Sequence, residues 1–195
     1  MEIMMTFCRK SILKKAILFL ALFLFGQTSL LWARKAILKD IVVTTSAKEL
    51  FVYFTVANSF TKDMEEAILN GVPVTFTYKL VLEEKRSFFP NKTIASFSIS
   101  HTMKYDQLKG VFIITKEGKK RERLTSKDLI WAKKLMTEVE TPIVPLNKLK
   151  KGHRYELRLK AELSKVKLPL FLHYVLFFSS LWNFETDWYT VEFVY

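Results

Sequence analysis

The chain has 195 residues, enough for one domain with a sizeable core and too few for two ordinary ones. Its 31 Lys and Arg outweigh 19 Asp and Glu, a net charge of +12. A lone cysteine, Cys8, and three scattered histidines, His101, His153 and His173, exclude a disulfide framework and leave no spacing typical of a zinc site, so no metal or cofactor is expected.

Residues 1–33 read as an export signal. Arg9, Lys10, Lys14 and Lys15 form a basic region, residues 16–25 (AILFLALFLF) an apolar one, and Gly26 to Ser29 lead toward a cleavage point after Ala33. Leu31 stands where a small residue is preferred before such a cut, so an uncleaved form is also open. Residues 16–33 would then be a membrane anchor close to the roughly 20 residues a bilayer needs. In both cases the basic residues stay cytoplasmic and residues 34–195 cross to the far side. That exported part keeps 27 basic residues against 18 acidic ones, a charge of +9. Such a surface suits lipid headgroups, an acidic envelope polymer or an acidic partner, beside its general value for solubility. The compartment argues against nucleic acid.

The exported part is dominated by period-two alternation. Strands are expected at residues 38–45 and 50–56. Residues 61–71 (TKDMEEAILNG) read as a helix, with Thr61 as N-cap, acids in the first turn, an apolar stripe of Met64, Ile68 and Leu69, and Gly71 at the stop. In residues 74–82, Val74, Phe76, Tyr78, Leu80 and Leu82 share one face. In residues 95–105 the apolar face is Ala95, Phe97, Ile99, Met103 and Tyr105, with serines, Thr102 and Lys104 opposite. A strand at residues 111–115 leads into "KEGKKRER", residues 116–123, read as an exposed hairpin tip. Lys119, Lys120 and Arg121 there are candidate contacts for an anionic surface.

A second helix is expected over residues 126–140, from Ser126 through Leu129, Ala132, Met136 and Val139, ending before Thr141 and Pro142. Residues 155–163 alternate again. Before them Lys150 and Lys151, within a basic run from Lys148 to Lys167, form a second candidate anionic contact. Residues 168–182 (LPLFLHYVLFFSSLW) carry no charge. Pro169 and the scarcity of β-branched residues favour a helix of roughly 22 Å, short of the roughly 30 Å hydrocarbon layer. Three readings stay open for it: a core-covering helix, an element facing a membrane or apolar partner through Phe171, Val175, Phe178 and Trp182, or the lining of an apolar ligand pocket. "WNFETDWY", residues 182–189, sets Glu185 and Asp187 two apart between tryptophans. Such a pair can do acid–base chemistry on sugars, and it also arises in a structural turn. A last strand is expected over residues 187–195.

The sum is a mainly β single domain over residues 34–195, an antiparallel sandwich-like fold with two or three short helices, preceded by a signal or anchor helix. "LFVYFTVANSFTKDMEEAILNGVPVTFTYKL" and "RYELRLKAELSKVKLPLFLHYVLFFSSLWNFETDWYTVEFVY" resemble the exported bacterial proteins grouped as DUF4390, most distinctively in "SLWNFETDWYTVEF". The resemblance implies an envelope protein in the periplasm, soluble after cleavage or anchored in the inner membrane. It implies no activity, ligand or catalytic residue. The functional expectation is a non-enzymatic module binding an envelope protein or anionic membrane surface. A carrier of a lipid or other apolar ligand is the alternative, and a hydrolase of envelope polymer using Glu185 and Asp187 the lesser one.

Overall fold

The computed structural model describes residues 35–118, 120–164 and 185–195. They form β1 (Ile37–Thr45), β2 (Glu49–Ala57), α1 (Lys62–Leu69), β3 (Val74–Glu84), β4 (Lys92–Asp106), β5 (Val111–Glu117), β6 (Glu122–Ser126), α2 (Leu129–Thr137), β7 (Glu138–Pro145), a 3-10 turn (Leu146–Lys148), β8 (Arg154–Leu163) and β9 (Tyr189–Val194). Two antiparallel sheets result, one ordered β1-β2-β7 and one ordered β6-β5-β4-β3-β8-β9.

The expected alternation decides which side of each sheet is dry. Val74, Phe76, Tyr78, Leu80 and Leu82 of β3 and Tyr155, Leu157, Leu159, Ala161 and Leu163 of β8 are buried together with Leu50, Val52, Phe54 and Val56 of β2. Phe54 meets Tyr78 edge to face between the sheets, with ring centroids 5.7 Å apart. The opposite face of β3, β8 and β9 is wet and laced with ion pairs, Lys79 to Glu162 at 2.8 Å and Arg158 to Glu83 at 3.0 Å among them. Both pairs are diagonal, since Lys79 faces Lys160 and Glu83 faces Glu156 in register, and each diagonal contact offsets a like-charge pair directly across.

Both helices pack on this frame, and α1 follows the sequence reading closely. Thr61 Oγ1 accepts from the Met64 amide at 3.2 Å, and Gly71 has the left-handed φ of +83° that ends the helix. The second helix is shorter than expected. Asp128, not Ser126, is its N-cap, accepting from the Ile130 and Trp131 amides at 2.6 and 3.2 Å, and it stops at Thr137. Residues 138–140, expected as its last turn, begin β7 instead, where Val139 is buried against the core. Val139 sits three residues after Met136 and two before Thr141, so it satisfies both periods; β-branched Val139, Thr141, Ile143 and Val144 tip the stretch to strand. The expected hairpin tip at residues 116–123 is likewise narrower, because Glu122 and Arg123 already pair in β6.

Candidate functional site

β3 starts at the end of the sandwich where β4 and β8 finish and β9 begins. Ser164 N donates to Thr75 O at 2.9 Å, and Thr186 N donates to Ala161 O at 2.8 Å. A bridge between Glu162 and Glu185 closes the pair of strands there. The chain therefore leaves the sheet at Ser164 and returns at Glu185 on adjacent lanes. Residues 165–184 lie outside the described residues, and with them Phe171, Val175, Phe178 and Trp182 and the whole apolar run 168–182.

The acid pair lies at this return point. Thr186 points inward, its hydroxyl accepting from the Ala161 amide at 3.0 Å, so Glu185 and Asp187 point outward. Glu185 is 3.0 Å from Lys160 Nζ and Asp187 is 2.7 Å from Lys35 Nζ, both carboxylates largely exposed. Each is held by a different lysine, and Arg158 lies over the neighbouring Trp188 ring at 5.7 Å. The Lys35 to Asp187 contact has a topological consequence. Lys35 is the first described residue of the domain, so its start lies beside Asp187, just after the point where the chain returns at Glu185.

On the same half of the molecule, the outer face of β4, β5 and β6 carries cations. Register aligns Thr75, Thr102, Thr115 and Arg123 in one row across four strands. Thr75 and Thr102 share a 2.9 Å hydroxyl contact. A surface groove of about 970 Å³ covers the Thr102, Thr115 and Arg123 part of this row, with Lys104, Tyr105 and Arg121 also on its walls. Lys104 and Arg123 have no ion pair among the described residues, whereas Arg121 is 3.5 Å from Glu117. Asp106 is occupied in its own turn, accepting from the Lys109 amide at 3.1 Å, and Leu108 at the tip of that turn is fully exposed. Spare guanidinium and ammonium groups beside hydroxyls make a surface suited to phosphate or carboxylate.

The opposite end is different chemically. Glu84, buried, accepts from His153 Nδ1 at 2.7 Å and lies 3.8 Å from Lys150 Nζ. Burial pushes its carboxyl up, but the His153 hydrogen bond and the charges of Lys150, His153 and Arg86 outweigh that and hold it below the ordinary value. The β3–β4 turn at this end shows Phe88 and Phe89 to solvent at 94% and 71% exposure. Lys150 and Lys151 are exposed here, at the start of β8, while Lys120 and Arg121 belong to the β5–β6 turn. The structure thus keeps the two basic clusters of the sequence apart, and Lys119 lies outside the described residues.

The family described as Domain of unknown function (DUF4390) matches residues 33–192. The chain belongs to the DUF4390 family. No curated protein and no solved structure matches it. The family description carries no chemistry, so what the DUF4390 domain can do has to be read from its side chains.

Among its described residues, no group of three or more His, Cys, Asp or Glu side chains could hold a metal ion, and no helix is long and apolar enough to cross a membrane. His101 is the one buried histidine among the described residues. Its Nδ1 donates to the Met136 carbonyl at 2.9 Å, the same oxygen that receives the Tyr78 hydroxyl at 2.6 Å. Burial pushes His101 down to about 4, the bond to Met136 opposing and Lys116 adding. A neutral imidazole locked on a backbone carbonyl ties β4 to the end of α2, a structural task. The Lys104 to Arg123 groove was beyond sequence reasoning, since only strand register brings residues of β4 and β6 together. The signal available was the alternation that put Lys104 on the wet face.

Proposed function

We propose that residues 34–195 are an exported, non-enzymatic binding module working at the periplasmic face of the bacterial inner membrane, with the end that holds Lys35 and Glu185 toward the bilayer. The observation that carries this reading is the Lys35 to Asp187 ion pair. It sets side by side two residues that follow in sequence the two least polar stretches, residues 16–25 and 168–182. Supporting it, the exposed Leu108 lies at the same end, and the groove cations lie on the same half. Basic side chains flanking apolar ones are the combination an anionic headgroup layer attracts.

Fractionation at low ionic strength tests the location: the chain should remain with the membranes. Recovery of the whole population in the soluble periplasm would refute it. The groove has its own test. Each Lys or Arg near an anionic surface contributes about 1 kcal/mol. K104Q/R123Q should therefore weaken binding to vesicles containing one-third phosphatidylglycerol by about 2 kcal/mol, about 30-fold, at low salt. K150Q/K151Q, at the other end, should change it little. Equal losses from both pairs would mean that net charge and not this surface decides binding.

A further inference from the structure

We infer that the open edge of β4 over residues 95–99 is a docking lane for an extended segment of a partner protein, one that alternates apolar and polar residues and is acidic toward its C-terminal side. β4 has 15 residues and pairs with β3 from Lys92 onward, but β5 has seven and joins β4 only from Ser100 to Asp106. Among the described residues, no strand pairs with the other edge of residues 92–99. Such an edge offers a row of N–H and C=O groups to any extended chain, and proteins ordinarily blunt it with charge, proline or a bulge. Blunting is present only at the start. Pro90, Lys92 and an extra residue at Ile94, where Leu82 faces Ala95 and Glu83 faces Thr93, come first. Ala95, Ser96, Phe97, Ser98 and Ile99 then run with no charge, proline or register shift.

The lane has a floor. A cleft of about 580 Å³ lies along it, lined by Phe97, Ser98 and Ile99 from β4 and by Pro142 and Ile143 from β7, itself an edge strand. Phe97 is only partly buried where it packs on the core, so the sandwich is open along this side. A strand added beside β4 would place alternate side chains into the cleft and the others beside Ser96 and Ser98 in water.

Charge and space choose the occupant. A segment antiparallel to β4 finishes beside Lys92, exposed and without an ion pair among the described residues, so acidic residues belong at that end. At the other end Glu117 is already engaged by Arg121 and by the Ser100 hydroxyl. A second copy fits less well. Two β4 edges can align in phase only over residues 95–99, because beyond Ser100 the lane of each is filled by its own β5. Lipid cannot satisfy backbone groups at all. The inference stands independently of the membrane reading above.

Panning a random decapeptide display library against the full-length chain in detergent, then mapping amide exchange with a selected peptide bound, tests it. Selected peptides should alternate apolar with polar residues and end in Asp or Glu. They should slow exchange within residues 95–99 and lose at least about tenfold in affinity when the backbone nitrogens on their β4-facing edge are methylated. Ala95→Lys should cause a similar loss. Should that variant not fold, the exchange map of the unaltered chain still decides. Selection without that pattern, slowed exchange only at the basic groove or the Phe88 turn, or equal binding of the methylated peptide would overturn the proposal. So would slow exchange of residues 95–99 that rises with protein concentration in the absence of peptide, which would give the lane to a second copy.

Discussion

Taking the protein from pH 7 to pH 4 is expected to remove about 3 kcal/mol of folding stability through His101 alone. The folded pKa is about 4 and the ordinary value 6.5, so over that window the unfolded chain binds a proton that the folded one refuses. Stability is therefore complete above pH 6.5 and falls as pH drops toward 4. Glu84 acts in a lower window. Its folded pKa is depressed below 4.5, so its contribution is present above 4.5 and is lost as pH falls through the folded value. His101→Gln separates the two. It keeps a donor near the Met136 carbonyl, which Tyr78 also serves, and it cannot titrate. Urea denaturation across pH 7 to 3 should show the steep loss between 6.5 and 4 in the wild type and a nearly flat line there in the variant, with both declining below 4.5. Parallel curves would show that His101 is not the group responsible.

How much of this architecture is legible in the sequence depends on whether a residue's partner lies nearby in the chain. Local rules find α1, because Thr61, Asp63 and Gly71 each act within one turn of their own position. Alternation finds β3, β4 and β8, whose buried faces are long enough to be unmistakable. It does not find β6, five residues with Leu124 as the lone apolar side chain, nor β7, where Pro142 reads as a helix stop and is tolerated because β7 is an edge strand. The sites depend on register. Glu84 meets His153, 69 residues further along the chain, because Glu84 faces Tyr155 across β3 and β8. The open lane on β4 is partly foreseeable, since the expected strand 95–105 is far longer than its neighbour 111–115. Which half stays unpaired follows only from the five-residue turn between them.

Phe76→Ala is expected to cost about 3–5 kcal/mol, the loss typical for deleting a fully buried aromatic side chain and leaving a cavity. Phe76 is entirely buried at the start of β3, and Phe60 lies on it with ring centroids 5.2 Å apart. Lys133 in turn sits 5.5 Å over the Phe60 ring and pairs with Glu65 at 2.6 Å, so one ring underlies the contacts that tie α1 to α2. Against a typical total of about 5–15 kcal/mol, the loss brings the domain close to unfolding at 37 °C. Phe88→Ala removes the same atoms from a side chain that is 94% exposed and should change stability by less than about 0.5 kcal/mol. Thermal melts of the two variants make the comparison. A small shift for Phe76→Ala would mean that α1 and its contacts collapse into the vacated space, and the end of the sandwich that holds Lys35 and Glu185 would then be far more adaptable than its packing implies.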